Sequence, residues 1–328
     1  MSTNILRSAV AVMMIGTAAT GAAAQETLRI GTDQPGDHPF NLGVEKFGEL
    51  LSEKTDGELT INLYPAAQLG DTAEQIEGLQ LGTLDMSLAA FSHASQFCPE
   101  LNLFGAPFLF EDEAHFAAVF DGEIGDELEE TCVDRYGVRL LNTFSSGYRV
   151  LFNGEHPVES LEDLSGLKIR VMGGRADAMT WELFGSLPSP MPYSEVYSAL
   201  QAGVIDGAEN DPSGALANRF YEAAPYFTNT RHLVLPMGLF ISDRVFQNLS
   251  DEEKTAMREA ADEAAAWQRE LMVERNASAL ETMETEYGAT VSEIDTDAMR
   301  AQGAELQDEV AAELGQEEML ADIRAAAE

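Results

Sequence analysis

Residues 166–174 read GLKIRVMGG, and the run LKIRV inside them decides how the chain is read. Apolar Leu167, Ile169 and Val171 alternate with Lys168 and Arg170, which is the period of a strand. A helical pattern, DAMTWELF at 177–184, follows it. PMPYSEVYSALQ at 190–201 then reads as a turn and a short helix, and AGVIDGAEN at 202–210 as a strand ending in Asn210. Upstream, SSGYRVLFN at 145–153 is another strand, carrying Arg149. Strand and helix alternate, which implies an α/β architecture with a parallel-type sheet flanked by helices.

Two arginines inside apolar strands are unexpected in a chain of 328 residues with 19 Lys+Arg, 57 Asp+Glu and a net charge of −38. Lys and Arg are almost never buried without a partner. Each of these arginines therefore answers either to a protein carboxylate or to an anion that comes and goes. A guanidinium grips a carboxylate through two parallel hydrogen bonds, which fixes orientation as well as adding energy. The acidic balance argues against nucleic acid or an anionic membrane as partner.

Working outward toward the N-terminus, Thr27–Asp33 is a strand, and Phe40, Val44, Phe47, Leu50 and Leu51 follow at helical spacing. Leu59–Tyr64 and Leu84–Phe91 are further strands, separated by a helix that opens on a capping box, Asp71 with Glu74. At the extreme N-terminus Arg7 precedes an apolar run, Ala9–Ala23, which ends in Ala22-Ala23-Ala24. That is the form of a cleaved export signal, with the mature chain starting at Gln25 and released into the periplasm. Residues 1–24 hold one Arg and no acid, so the mature chain has 18 basic and 57 acidic residues, net −39. About 304 mature residues suit two domains. The strand pattern places the first at 25–148, with about 236–270 returning to it, and the second at 149–235, with about 271–328 packing on it.

Toward the C-terminus, Ser250 and Glu253 form a second capping box. No Pro or Gly occurs from there to about Tyr287, so one helix of some 36 residues is expected, long enough to span both domains. The two cysteines, Cys98 and Cys132, form either one disulfide, as an even count in an exported chain suggests, or two separate buried thiols. The histidines at 38, 93, 115, 156 and 232 are scattered. No metal-ligand spacing, nucleophile elbow, phosphate loop or dinucleotide fingerprint is present in the sequence, so neither metal nor cofactor is expected.

GLKIRVM, PMPYSEVYSALQ, AGVIDGAEN and LYPAAQLGDTAEQIEGLQLGTLDM together resemble the extracytoplasmic solute-binding subunit of tripartite ATP-independent periplasmic (TRAP) transporters, the DctP family. The resemblance covers essentially the whole mature chain. It implies a Venus-flytrap fold, two α/β domains closing on a ligand, and a monomer that hands an organic acid to a small and a large permease subunit. It implies further that Arg170 makes a bidentate contact with the ligand carboxylate. Arg149 would add a second contact, Asn210 a hydrogen bond, and Tyr193 would line the pocket. The GYRVLFN and RVM forms resemble the sugar-acid branch more than the sialic-acid or ectoine branches.

Other candidates carry a plainer alternative. Arg149 could pair with a carboxylate of its own domain. Asp71 and Glu74 could bind ligand hydroxyls or only cap their helix. His38 lies in the loop after the first strand, which borders the cleft in this family, and could be an ordinary loop histidine. Phe91 and His93 follow a strand at its carboxyl end, where α/β clefts bind ligands. Trp181 is expected in the core and Arg175 at the surface. The functional expectation is a binding protein for a sugar acid, not an enzyme. A C4-dicarboxylate or other small anion as ligand, or an exported enzyme acting on a carboxylate, are the alternatives.

Overall fold

The computed structural model describes residues 25–327. The expected export signal and its cleavage after Ala24 lie outside the described residues. Eleven strands are present among the described residues: β1 (Glu26–Gly31), β2 (Leu59–Tyr64), β3 (Met86–Ala90), β4 (Val138–Tyr148), β5 (Val150–Asn153), β6 (Lys168–Val171), β7 (Leu187–Pro190), β8 (Gly207–Asn210), β9 (Tyr226–Thr228), β10 (Val234–Ser242) and β11 (Thr290–Ser292). They form two sheets, β2-β1-β3-β10-β4 and β11-β9-β5-β8-β6-β7. The protein is therefore an α/β molecule of two domains, each built on one sheet.

The strand–helix alternation anticipates the parallel pairs, β1 with β2 and β3, and β6 with β7 and β8. It does not anticipate that both sheets are mixed. β10 runs antiparallel to β3 and β4, and β5 antiparallel to β8 and β9. The physical reason is connectivity. β5 and β10 are reached by crossing from the other domain, so no helical crossover forces them parallel.

The crossings are close together. β4 ends at Tyr148 and β5 begins at Val150, so Arg149 is the crossing residue. Its N–H donates to the carbonyl of Leu233, in the returning crossing between β9 and β10, at 2.9 Å. A third link is the helix Asp251–Thr285, 35 residues and about 53 Å long, whose capping box at Ser250 and Glu253 is formed in both directions. Its Met257, Ala260, Ala261, Ala264 and Met272 join the core of the first domain, and Met283 joins that of the second. Between these faces, Gln268 donates to the Ser145 carbonyl and accepts from the Ser145 N–H, each at 3.0 Å. Asn276 donates to the Ser146 carbonyl at 2.8 Å and accepts from Ser213. Gly147 must be glycine here: its φ is +60°, and a Cβ would sit 2.6 Å from the Asn276 amide.

The C-terminal segment departs from expectation. β11 does join the second sheet, but the helices Thr296–Leu314 and Glu317–Ala325 bury Leu306, Val310, Met319, Leu320 and Ile323 in the first domain's core. Their apolar stripes pack in one cluster with Phe110, Phe116 and Leu128. The expected packing of residues 271–328 on the second domain alone is not what the described part, 271–327, shows: it is shared between the domains. Cys98 and Cys132 are joined by a disulfide, with Cα atoms 5.8 Å apart, tying the segment Pro99–Gly105 to the helix Glu123–Tyr136. A closed loop of this length stabilises by roughly 4 kcal/mol in the chain-entropy account.

Candidate functional site

β6 and β8 lie side by side, and their carboxyl ends face the first domain. β6 presents Arg170, β8 presents Asn210, and the short 3-10 turn Tyr193–Glu195 places Tyr193 against both. These residues, with Arg149, line a deep cavity of about 20 Å³ whose opposite wall is Asp33, Gln34, Phe40, Ala90 and His93 of the first domain. A wider outer cavity of about 210 Å³ shares Asp33, His93 and Tyr193 with it and adds Asp71, Thr72 and Gln96. The two together make one interdomain cleft.

The two arginines are held differently. Arg149 is buried and fully engaged. Its Nε and Nη2 bond the Glu209 carboxylate, Nη2 also the Glu209 carbonyl at 2.9 Å, and Nη1 the Asn210 side-chain oxygen at 2.9 Å. Burial works against its charge, but Glu209 more than compensates and holds its pKa above the ordinary value. Burial likewise opposes the Glu209 charge, and Arg149 overrides it, keeping the carboxyl well below the usual range. Arg170 is 1% exposed, and its Nε and Nη2 share one acceptor, the Met191 carbonyl, at 3.1 and 2.9 Å. The Tyr193 ring lies 5.7 Å from its guanidinium carbon. Among the described residues no carboxylate lies within ion-pair reach of it. Burial first, with Arg149 nearby, lowers its pKa despite the attraction of Glu209.

Around this cation the cleft is polar and undersatisfied. Asn210 and Asn218 each donate to the Tyr193 hydroxyl oxygen at 2.8 Å. Both bonds are accepted, so the phenol keeps its own proton to donate, and burial pushes its ionisation far above the ordinary range. Among the described residues Gln34 Oε1, His93 Nδ1 and Asp211 Oδ2 are buried with no hydrogen-bond partner, Asp211 Oδ2 lying 3.9 Å from Arg149 Nη1, and all three residues line the deep cavity. Buried polar atoms without partners are uncommon enough that three on one cavity call for an occupant that supplies them. Burial, with Arg170 beside it, lowers the His93 pKa to about 3, so this ring is neutral. Burial raises Asp33, against hydrogen bonds from Thr72 and Gln34.

Of the residues marked by the sequence, the structure brings Arg170, Arg149, Asn210 and Tyr193 together, with Asp71 on the outer rim. Three are elsewhere. Phe91 is completely buried in the first domain's core, edge-on to Phe104 and Phe120 at 5.6 Å, because the chain turns into a helix as β3 ends. Glu74 is exposed and its carboxylate is spent on the Asp71 N–H at 2.9 Å, so capping is its role. His38 accepts from the Phe40 N–H through Nδ1, which leaves Nε2 to donate to Asp211 Oδ1 at 3.3 Å. It ties the first domain to the second and does not line the deep cavity. As expected, Trp181 is core and Arg175 pairs with Glu313 at the surface. The sequence reading missed Asp33 and Gln34. They sit just past the carboxyl end of β1, and the rule that singled out His93 after β3 applies to them equally.

A family model for the bacterial extracellular solute-binding proteins of family 7, DctP, matches residues 30–314. The 2,3-diketo-L-gulonate-binding periplasmic protein of Escherichia coli is 31% identical over 279 residues, 85% of each chain. Among solved structures, a TRAP periplasmic solute-binding protein from Xanthobacter autotrophicus with bound beta-D-galacturonate superposes with a TM-score of 0.85 at 34% identity, over 91% of this chain and 99% of that one. One from Chromohalobacter salexigens with bound D-glucuronate gives 0.86 at 32% identity, over 91% and 99%.

Proposed function

The chain belongs to family 7 of the bacterial extracellular solute-binding proteins, and from that premise we propose that its cleft captures a sugar acid of the uronate class and delivers it to the membrane subunits of a TRAP transporter. The observation that carries the ligand class is Arg170, a buried guanidinium with no carboxylate of the described residues in ion-pair reach. A ligand carboxylate supplies the missing partner, with Arg149, Asn210 and Tyr193 framing it. Across the cleft, Asp33, Asp71, His93, Gln34 and Gln96 present acceptors and amides suited to hydroxyls. That wall also speaks against a C4-dicarboxylate, because a second ligand carboxylate would face Asp33 and Asp71. The bound uronates of the two solved relatives point the same way.

Binding rather than catalysis fits the chemistry. His93 is neutral, the Tyr193 phenol is protonated, and both arginines are fixed cations, so the cleft holds no activated nucleophile among its described residues. The protein works in the periplasm as a monomer, meeting a small and a large permease subunit. Among the described residues no helix is long and apolar enough to cross a membrane. The deep cavity admits little more than a water molecule. A sugar acid therefore enters an opened form, the domains moving about the crossings at Arg149 and residues 229–233.

Calorimetry with D-glucuronate, D-galacturonate, D-galactose and succinate tests the ligand class. The uronates are expected to bind, the uncharged galactose not at all, and succinate at least tenfold more weakly. Succinate binding tightest would install the dicarboxylate alternative, and no binding by any acid would end the reading. Solution scattering supplies the motion: saturating uronate should lower the radius of gyration, and an unchanged profile would mean a rigid site.

A further inference from the structure

Away from the arginines, the two domains meet at a second polar contact. Asp177, on the helix Arg175–Leu183 of the second domain, is 5% exposed. Its Oδ1 accepts from Ser92 Oγ of the first domain at 3.0 Å. Beside it, the Ala176 N–H donates to Asn102 Oδ1 across the same interface at 3.2 Å. One glycine on each side makes this approach possible. A Cβ at Gly105 would lie 3.3 Å from Asp177 Oδ1, and one at Gly174 would lie 2.5 Å from Oδ2 and 3.3 Å from the Ser92 Cα. Among the described residues Asp177 Oδ2 is buried with no hydrogen-bond partner.

Resting on the reading of the cleft as a ligand trap, we propose that Asp177 couples closure to proton uptake: the closed form holds it as a neutral acid between the domains, and opening returns it to water as a carboxylate. A carboxylate buried without a counter-charge is costly, whereas a carboxylic acid there keeps its Ser92 bond and leaves only a neutral hydroxyl to be satisfied. The same position in an open cleft carries no such cost. The charges around it agree. Burial is the largest influence and Glu209 the next, and against Arg149 and Arg170 they raise the Asp177 pKa to about 7. The other titratable groups on the surrounding elements have partners of their own or are neutral. His93 beside Ser92 is neutral, His232 Nε2 lies 3.4 Å from Glu209, Glu100 pairs with Arg135, and Glu313 pairs with Arg175 at the surface.

The sign follows. An open-form carboxyl near the ordinary aspartate value of about 4 and a closed-form value near 7 mean that closure is assisted below about pH 4. That assistance is lost as pH rises toward 7. Asp33, also raised on burial, adds in the same direction, whereas His93 and Asp211, both lowered, oppose it. The variant Asp177→Asn isolates the Asp177 share, because the amide has the shape and charge of the protonated acid.

The test uses the full mature protein and D-glucuronate. Calorimetry in buffers of different ionisation enthalpy should show wild type taking up more protons on binding at pH 6 than Asp177→Asn does, the gap vanishing by pH 8.5. At pH 8 the variant should bind about tenfold more tightly than wild type, or better, and melt no lower. Weaker binding by the variant at pH 8, or equal proton uptake in both proteins, overturns the proposal. Scattering without any ligand gives an independent arm. Acidification from pH 8 to 5.5 should compact wild type more than Asp177→Asn, which starts in a more compact state, and identical profiles overturn the proposal. If D-glucuronate binds neither protein but this scattering difference appears, the sugar-acid reading fails and the proton-linked contact stands.

Discussion

Arg149 and Arg170 flank the same strand, β8, and come from sequence contexts that look alike, one arginine within an apolar run. The structure gives them opposite surroundings. Arg149 holds Glu209, two carbonyl-type oxygens and the crossing between domains. Arg170 holds only the carbonyl of Met191 and the face of Tyr193. An arginine that has its carboxylate is part of the frame. One that lacks it is a receptor waiting for an anion. The difference teaches that burial alone does not mark a binding residue; the absence of a protein counter-charge does.

The contrast breaks most sharply at Arg149. Arg149→Met removes the cation and strands Glu209 in the interior, which should cost about 3–5 kcal/mol of stability at neutral pH. Urea unfolding of the ligand-free protein measures it. The loss should shrink toward pH 4, where the stranded Glu209 can take a proton, and adding Glu209→Gln should recover part of it. A variant that unfolds like wild type but no longer binds would erase the distinction and make Arg149 a ligand residue first.

At Arg170 the pattern should reverse. Arg170→Lys keeps the charge and loses the fork. Truncating one member of a desolvated pair costs about 2–5 kcal/mol of binding, roughly 30-fold to several-thousand-fold in affinity. Stability without ligand should barely change, since no protein carboxylate is abandoned. Calorimetry and melting on one sample decide it: a variant that binds as well as wild type removes Arg170 from the site.

Acid sharpens the same comparison further. Glu209 titrates below its ordinary range in the folded protein because of Arg149, so its stabilisation is fully present above the unfolded value near pH 4.3 and is lost as pH falls below it. Wild type should therefore lose melting temperature from pH 5 to 3 more steeply than Arg149→Met/Glu209→Gln. Parallel curves would mean that the pair carries no net charge interaction. Arg170 offers no comparable dependence.

Much of this was legible from residue patterns. Alternation in LKIRV and VIDGAEN gave the strands, and the unbroken run after Ser250 gave the long helix, because period and punctuation are local signals. The identity of Arg170 as the unpaired cation was partly legible. What could not be read locally was which carboxylate meets which arginine: Glu209 precedes Asn210 in the quoted run, yet only the pairing of β5 with β8 brings it onto Arg149. The terminal helices likewise carry apolar stripes that do not say which domain they cover. His38 looked like a rim residue because its partner, Asp211, is reached only through the fold.

The smallest expected effect tests a residue that the sequence left open between two roles. Glu74 lies in a run that resembles the family's, close in sequence to Asp71 on the cleft rim, and its carboxylate could have met ligand hydroxyls. In the structure it is exposed and completes the capping box with Asp71, whose own carboxylate accepts from the Glu74 N–H at 3.0 Å. Glu74→Ala should thus remove half of that box and cost about 1 kcal/mol of stability or less. Affinity for D-glucuronate should stay within twofold of wild type. Asp71→Ala differs by one added consequence, because Asp71 lines the outer cavity as well as capping. It should lose a similar amount of stability and also weaken binding by severalfold. Measured side by side, affinities within twofold of wild type for both variants would place Asp71 outside the site. A loss with Glu74→Ala that matches Asp71→Ala would bring Glu74 back to the ligand through the helix that the two residues cap.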